Sequence, residues 1–333
     1  MNEFWKDEFW KDEPEIAAEL EEVGSLIQDA IDRSHSFVRQ LLAAQVRTSG
    51  KLLRPALVLI GSRLGKPERR GEVKRIASVL EMIHMASLVH DDIIDDARTR
   101  RGIPTLYAQT GAKQAVLAGD YLLSRAMALV GGSEGDLEAS AVSNAFSRLC
   151  ESELEQDAGQ GDFTISTATY LRRIAGKTAS LFALSSYAGA AVAQSDKCVQ
   201  RRMHRIGYNM GMAFQIQDDI LDYDGDKEKL GKEPGKDLLC GIPTLPLLEA
   251  MEIEKSLPLE DQLLHRITGK AKLSKRDVAR AVRRVIELGG LEKSKILATT
   301  YSERALKDIH ALGNEQVSTI LLGMFEKLSD RRK

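Results

Sequence analysis

Two groups of aspartates interrupt segments of the sequence that otherwise read as apolar helices. The first group lies at 91–96 (DDIIDD) and the second, more than a hundred residues later, at 218–222 (DDILD). Carboxylates on a core-facing helix are costly unless they are paired or bind a metal. Aspartates four residues apart share one helix face. Two such faces that met would form an oxygen-lined site for a hard divalent cation, which Mg²⁺ commonly shares with a substrate phosphate.

Cationic side chains flank the first aspartate group. His84 precedes Asp91 by seven residues, which is two helical turns along one face, and Arg100 and Arg101 follow in the next loop. A metal would bridge the oxygens of a diphosphate while arginine forks bind the remainder. Upstream, Lys51 and Arg54 stand at the start of another helix, whose N–H groups also favour an anion. The positive charge is therefore sufficient for a second diphosphate bound without metal.

Helices must position these groups, because apolar residues recur with helical spacing from about residue 15 to the end. The pattern predicts helices near 16–33, 54–64, 73–95, 112–130, 137–156, 168–193, 198–222, 242–252, 274–288, 291–312 and 314–329. No alternating strand pattern stands out. We therefore predict an all-α fold, with an N-terminal tail at 1–14 and one helical domain at 15–333.

Composition excludes several classes of protein. The 333 residues are 43% hydrophobic and 29% charged, with a net charge of −2, which gives no reason to expect a nucleic-acid partner. The 3 cysteines are too few and too widely spaced for a disulfide framework or zinc cluster, and they suit a reducing cytoplasm. No apolar run reaches the roughly 18 residues that a membrane span requires.

The N-terminus carries a tandem duplication, with EFWKD at 3–7 repeated at 8–12, and it includes both tryptophans of the chain. One interpretation is an aromatic anchor for a partner or a membrane surface. The other is a duplicated terminal segment that frays and has no role.

Taken in order, the motifs resemble those of the trans-isoprenyl diphosphate synthases. They are GKxxRP at 50–55, DDxxD followed by RRG at 91–102, KT at 177–178, FQxxDDxxD at 214–222 and GKxxGKD at 231–237. The resemblance extends over almost the whole chain, and HMASLVHDDIIDDA is especially similar to the catalytic subunits of bacterial heptaprenyl diphosphate synthases. It implies a single large helical bundle of the isoprenoid synthase type with a central cavity.

The resemblance also implies residue roles. The metal ligands would be the aspartates of both motifs, with Asp222 farthest from the metal: Asp91, Asp92, Asp95, Asp218, Asp219 and Asp222. The allylic diphosphate would be bound by Arg100, Lys177 and Lys232. Isopentenyl diphosphate would be bound by Lys51, Arg54, His84 and Arg101. Thr178 and Gln215 would complete the catalytic set with Lys177 and Lys232, and three Mg²⁺ ions would occupy each active site.

The implied reaction is a sequential condensation. Metal and lysine stabilise the departing pyrophosphate, and the allylic cation is attacked by the double bond of isopentenyl diphosphate. Small side chains at Ala86 and Ser87, one turn before the first motif, leave room for a long prenyl tail, and Ile83 is the next candidate for a floor. We therefore expect six to eight isoprene units from a farnesyl or similar primer, with a geranylgeranyl diphosphate synthase as the alternative.

Other assignments fit the sequence less well. A class I terpene cyclase would need neither the second aspartate motif nor a set of cations for isopentenyl diphosphate. A degenerate partner subunit would have lost the second motif or the Lys-Thr pair. We expect a homodimer, or a catalytic subunit that is inactive without a small regulatory subunit, with transient membrane contact for product release. One departure from the family is Ser152, which stands where a GExxQ motif has glycine.

Overall fold

The computed structural model describes residues 8–47, 50–130, 136–224 and 234–329. The helices in these ranges are α1 (Pro14–Asp32), α2 (Ser36–Arg47), α3 (Leu53–Ser62), α4 (Arg70–Ile94), α5 (Leu106–Thr110), α6 (Ala112–Val130), α7 (Asp136–Ala158), α8 (Thr167–Ile174), α9 (Ser180–Val192), α10 (Lys197–Asp224), α11 (Lys236–Leu239), α12 (Leu245–Glu254), α13 (Leu263–Thr268), α14 (Lys275–Glu287), α15 (Gly290–His310) and α16 (Glu315–Ser329). Single 3₁₀ turns occupy Glu8–Trp10, Pro67–Arg69 and Leu259–Asp261, and a π-helical turn occupies Ala175–Ala179. Two two-residue strands, β1 (Thr99–Arg100) and β2 (Ile103–Pro104), pair antiparallel.

The chain divides into two compact units. The first contains Met1–Phe146, Phe182–Gly207 and Ile309–Lys327, and the second contains Ser147–Leu181, Tyr208–Asp308 and Leu328–Lys333. The first aspartate motif therefore belongs to the first unit and the second motif to the second unit.

Helix α4 is the central element of the first unit. It packs mainly against α6, and also against α3 and α1. Apolar residues on several faces of α4 are inaccessible, including Ile76, Leu80 and Met82. Another close approach in this unit depends on Gly189, where a Cβ atom would lie 1.9 Å from the carbonyl oxygen of Val58. A helix buried this deeply places any polar residue at its end against a rigid support.

The second unit is built around an apolar core to which α8, α10, α12, α13 and α14 contribute. Glu254, at the end of α12, is fully buried and accepts hydrogen bonds from the backbone N–H groups of Leu264 and His265. Arg284 of α14 lies 3.4 Å from the same carboxylate. These contacts join three helices of the unit through one buried charge that has several partners.

The prediction of an all-α fold is confirmed. Each of the predicted helices is present, and most ends fall within three residues of the expected positions. The β1–β2 hairpin, the 12-residue helix α2 and the short helices α5, α11 and α13 were not predicted. In the described ranges, no helix has the length and apolar character needed to cross a membrane.

Candidate active site

The first aspartate motif occupies the last turn of α4. Asp92 is almost inaccessible, and its Oδ1 accepts hydrogen bonds from Nε and Nη2 of Arg100, at 2.9 and 2.8 Å. Asp91 and Asp95 stand on another side of the turn, and the backbone N–H of Asp95 donates to the carbonyl oxygen of Asp91 at 2.8 Å. The middle carboxylate of this motif, that of Asp92, is therefore paired with an arginine.

The hairpin that follows α4 brings Arg100 to Asp92. Arg100 pairs with Ile103 across the two strands. Thr105 donates through its hydroxyl to the carbonyl oxygen of Ala97 at 2.7 Å, which ties the far end of the hairpin back to the end of the helix. Arg101, at the turn, has a φ of 52°, in the left-handed region. The hairpin therefore gives the adjacent residues Arg100 and Arg101 different positions, and Arg100 is the one that pairs with Asp92 of the aspartate motif.

A group of three titratable residues, Arg54, Glu81 and His84, lies in the same unit; Glu81 is buried, and Arg54 and His84 are partly exposed. Glu81 and His84 are one turn apart on α4, and Arg54 lies in the first turn of α3. Burial lowers the pKa of Arg54 to about 10, with Glu81 opposing the shift. Burial raises the pKa of Glu81 to about 7, although Arg54 and Arg101 oppose it. Burial, and then the charges of Arg54, Arg100 and Arg101, hold the pKa of His84 well below its usual value, so this imidazole is neutral.

Two polar atoms of this group have no hydrogen-bond partner among the described residues. They are Nε of Arg54 and Oε2 of Glu81, both buried. The guanidinium carbon of Arg54 lies 5.0 Å from the ring centroid of Phe182, a cation–π contact that holds the side chain without neutralising its charge. Arginine donors that the protein leaves unsatisfied are the groups expected of an anion site.

The second aspartate motif lies near the end of α10 and differs in its partners. Asp219 is buried, and its Oδ2 accepts the hydroxyl of Tyr170 at 2.7 Å while its Oδ1 accepts Nε2 of Gln215 at 2.9 Å. Burial raises the pKa of Asp219 to about 7, and the two hydrogen bonds only partly offset this shift. Neutral donors, rather than an arginine, hold the middle carboxyl of this motif.

Asp222 anchors the segment that begins α11. Its two carboxylate oxygens accept the backbone N–H groups of Lys236, at 3.1 Å, and Asp237, at 3.2 Å. Its carbonyl oxygen accepts the N–H of Gly235 at 2.8 Å, and Gly235 adopts a φ of 80°. The role of Asp222 toward a metal stays a prediction. Lys232 lies outside the described residues.

The Lys-Thr pair sits on the π-helical turn Ala175–Ala179, a feature often found at functional sites. The hydroxyl of Thr178 donates to Oε1 of Gln215 at 2.7 Å. Lys177 forms an ion pair with Glu153 at 2.9 Å. A continuous hydrogen-bonded chain therefore runs from Thr178 through Gln215 to Asp219 and its second donor, Tyr170.

The departure at Ser152 is accommodated by Gly176 on the same turn. A Cβ atom on Gly176 would lie 1.7 Å from Oγ of Ser152, which in turn donates to the carbonyl oxygen of Arg148 at 2.8 Å. The two residues pack directly against each other only because residue 176 has no side chain. Ser152 therefore lies directly against the turn that carries Lys177, and Glu153 forms its ion pair with Lys177 beside it.

Each of the two motifs contains candidate metal ligands. No group of three or more candidate ligands is preassembled within the described residues. Asp91 and Asp95 in the first motif, and Asp218 in the second, have carboxylate oxygens, the donor type that Mg²⁺ and other hard divalent cations prefer. Asp92 and Asp219 have the hydrogen-bond partners described above.

The residues predicted to control product length all lie on α4 and are buried. Ala86 and Ile83 have 0% and 1% of their surface exposed, and Ser87 has 8%. The hydroxyl of Ser87 donates to the carbonyl oxygen of His84 at 2.9 Å. The effect of these three residues on the product stays a prediction.

Two residues of the site were missed in the sequence. Tyr170 gives no signal, because it reaches Asp219 only through the tertiary fold. Glu81 gives a weak one, since it is a charged residue three positions before His84 on the same apolar face.

Comparison with known proteins identifies relatives over most of the chain. The polyprenyl synthetase family model matches residues 35–285. Component 2 of heptaprenyl diphosphate synthase from Geobacillus stearothermophilus is 37% identical over 72% of this chain and 75% of its own. The corresponding Bacillus subtilis protein is 32% identical over 86% of this chain and 80% of its own.

Solved structures agree with this similarity. Heptaprenyl diphosphate synthase from Staphylococcus aureus superposes with a TM-score of 0.88 at 31% identity, covering 96% of this chain and 99% of that one. A polyprenyl synthase from Caulobacter crescentus, solved with calcium and isoprenyl diphosphate, has a TM-score of 0.86 at 32% identity, covering 95% of each chain.

Proposed function

Because the chain belongs to the polyprenyl synthetase family and is a prenyltransferase of the polyprenyl diphosphate synthase type, we propose that it extends farnesyl or a similar allylic diphosphate to a product of six to eight isoprene units. The observation that carries the use of isopentenyl diphosphate in this proposal is the group of Arg54, Glu81 and His84, with its unsatisfied Arg54 Nε, in the unit that also contains the first aspartate motif. An enzyme that only ionises a prenyl diphosphate has no use for this second anion site.

The residues divide the work between two diphosphates. Mg²⁺, when bound, neutralises charge on the allylic diphosphate and favours departure of pyrophosphate. Arg100 and Lys177 bind the same group, and Asp92 and Glu153 orient these cations. Lys51, Arg54 and Arg101 bind isopentenyl diphosphate. His84, held neutral, contributes a hydrogen bond without adding charge.

The hydrogen-bonded chain from Thr178 to Asp219 supplies fixed polar oxygens near the allylic carbon. The released pyrophosphate takes up the proton that the condensed carbocation loses as the new double bond forms. No side chain needs to act as a nucleophile. The protein contributes fixed charges and a dry pocket for the carbocation.

We further propose that Ala86 and Ser87 allow the prenyl tail to pass along α4. Ala86→Phe and Ser87→Phe should each shorten the product, because a ring would block the path one turn from the diphosphate site. Ala77→Phe, on the same helix and also fully buried, is a control for the general cost of adding a ring to α4. An unchanged product distribution in both site variants would contradict this role.

An exposed apolar strip on α6 favours a homodimer. Val116, Leu117 and Met127 have 40%, 59% and 42% of their surfaces exposed. Burial of such side chains against a second copy would stabilise a dimer. Leu117→Glu should then lower the mass measured by light scattering, whereas Leu259→Glu, at another exposed leucine, should not.

The relatives named component 2 support an alternative, in which the chain is a catalytic subunit that needs a small regulatory partner. Location in the cytoplasm and brief membrane contact during product release are part of the same proposal. The test is an assay of the purified chain with Mg²⁺, labelled isopentenyl diphosphate and farnesyl diphosphate, with products resolved by length. A ladder that ends at six to eight units supports a self-sufficient enzyme. No incorporation by folded protein that still binds farnesyl diphosphate contradicts it and favours the subunit.

A further inference from the structure

The loop that carries Lys51 contains a residue in a strained backbone conformation. Leu52, the next residue, adopts a φ of 51°, in the left-handed region that residues with a Cβ atom rarely occupy. Gly50 packs against the guanidinium of Arg101, because a Cβ atom there would lie 2.2 Å from its Nη2. Arg101, also proposed to bind isopentenyl diphosphate, therefore contacts the residue next to Lys51, in a loop that has one strained residue.

The second copy of the duplicated pentapeptide holds this loop. Trp10 has 2% of its surface exposed, and its indole N–H donates to the carbonyl oxygen of Lys51 at 2.7 Å. The ring of Phe9 lies 5.0 Å from Nζ of Lys51 and packs edge-on against Trp10, with ring centroids 4.9 Å apart. Lys51 is therefore contacted through both its backbone and its ammonium group.

The pentapeptide is itself anchored to the last helix, α16. Nζ of Lys327 donates to the carbonyl oxygen of Phe9 at 2.8 Å and forms an ion pair with Asp12 at 2.8 Å. It also lies 5.5 Å from the centroid of the Phe9 ring. The pentapeptide is therefore held by Lys327 as well as by its contacts with Lys51. Because Trp10 is buried, it is unavailable as a membrane anchor and is not part of a frayed tail.

We propose that Phe9 and Trp10 are positioning residues for isopentenyl diphosphate, and that they act by fixing the backbone and the ammonium group of Lys51. This inference rests on the proposed function, which makes Lys51 a ligand of that substrate. An aromatic ring suits the task because it attracts an ammonium group without neutralising the charge that the diphosphate needs. A preorganised loop also reduces the conformational entropy lost when the substrate binds.

The duplication supplies a matched pair of variants. Trp10→Phe removes the indole N–H and keeps an aromatic ring, and Trp5→Phe makes the same change in the first copy of the pentapeptide. Trp10→Phe should raise KM for isopentenyl diphosphate about three- to tenfold, the range that corresponds to one hydrogen bond of ordinary strength. KM for farnesyl diphosphate and kcat should stay within about twofold, and Trp5→Phe should change none of these constants.

Lys51→Ala separates failure of this inference from failure of the proposed function. A normal KM for isopentenyl diphosphate in Lys51→Ala would contradict the proposed role of Lys51, and with it the inference. A raised KM in Lys51→Ala together with a normal KM in Trp10→Phe would overturn the positioning role alone. Adding Trp10→Phe to Lys51→Ala should raise that KM less than twofold further, because the tryptophan acts through Lys51. Additive effects would overturn the inference.

Fluorescence provides a readout that does not depend on activity. The chain has 2 tryptophans, so Trp10 is the only one left in the Trp5→Phe protein. Its emission should have the short wavelength of a buried indole, and Lys327→Met, which removes the anchor on α16, should shift it toward the emission of an exposed one. Emission typical of an exposed indole in the Trp5→Phe protein would contradict the docking of this segment.

Discussion

The two aspartate motifs have the same spacing but neutralise their middle carboxyl groups in different ways. In the first motif, Asp92 is paired with Arg100 through two short contacts. In the second, Asp219 is held by the neutral donors Tyr170 and Gln215, and burial raises its pKa to about 7. A repeated sequence pattern therefore does not imply repeated electrostatics.

The difference has a chemical consequence for the neighbours of each motif. The pair with Asp92 fixes the guanidinium of Arg100, a residue proposed to bind the allylic diphosphate, so that carboxylate acts through a cation. The hydrogen bonds to Asp219 instead continue through Gln215 to Thr178, so that carboxyl acts through a chain of neutral polar groups. The first motif positions a charged side chain, Arg100, and the second positions the neutral polar groups of Gln215 and Thr178.

Neutralising the two middle aspartates in turn tests this contrast most strongly. Asp92→Asn should lower kcat/KM by about 100-fold or more, because Arg100 loses the charge that orients it. Asp219→Asn should lower it by about tenfold, since an amide can replace a protonated carboxyl in the chain to Gln215. Steady-state kinetics at saturating Mg²⁺ measures both, and circular dichroism checks that each variant is folded.

Equal losses in these two variants would break the comparison. They would mean that Asp219 acts as a charged group, as a direct metal ligand would, and not through its neutral partners.

The packing of the π-helical turn that carries Lys177 and Thr178 can be tested at Gly176. Gly176→Ala should lower the free energy of unfolding by about 1–3 kcal/mol, because the new methyl group would overlap Oγ of Ser152. Ser152→Gly in the same chain should restore most of the loss. Urea denaturation measures both. If Gly176→Ala alone is as stable as the parent chain, the two residues are not in the contact described.

A pH-dependent effect is expected from Glu81, a buried carboxyl in the same unit as the first motif. Its pKa is about 7 in the folded protein, against an ordinary value of 4.5 when unfolded. The unfolded chain therefore releases this proton first, and the stability that the protonated group contributes is lost as pH rises from about 4.5 to 7. Glu81→Gln should remove up to about 3 kcal/mol of that pH dependence.

Asp219→Asn is the matched comparison for this experiment, because the pKa of Asp219 is also about 7. Unfolding free energies measured from pH 5 to pH 8 should show a flatter curve for each variant than for the parent chain. A curve for Glu81→Gln that follows the parent would contradict the protonation assigned to Glu81.

The helices were predictable because apolar residues with helical spacing mark nearly all of them, and the ends of α6 were predicted at Ala112–Val130. The short helices α5 and α11 span less than two turns, which is too little for a periodic pattern to register. The β1–β2 hairpin has only two residues in each strand, and pairing across the Arg101 turn defines it.

The candidate site was predictable to a similar extent: residues in local sequence motifs could be found, and their partners from distant parts of the chain could not. Asp219 and Lys51 belong to local motifs that can be recognised in the sequence. Their partners could not be predicted, since Tyr170 and Asp219 are 49 residues apart, and Trp10 and Lys51 are 41 apart. Contacts of that range depend on packing, which no local pattern encodes.

We propose that Asp91 and Asp218 are both metal ligands for the allylic diphosphate, and a double-mutant cycle on these two aspartates tests this proposal most directly. The Mg²⁺ dependence of isopentenyl diphosphate incorporation would be measured for Asp91→Asn, Asp218→Asn and the double variant. Each single change should raise the Mg²⁺ concentration needed for half-maximal rate and lower the rate severely. If the motifs share one metal-bound diphosphate, the double variant should be little worse than the poorer single one. Losses that multiply would show that the motifs act independently and would contradict the account.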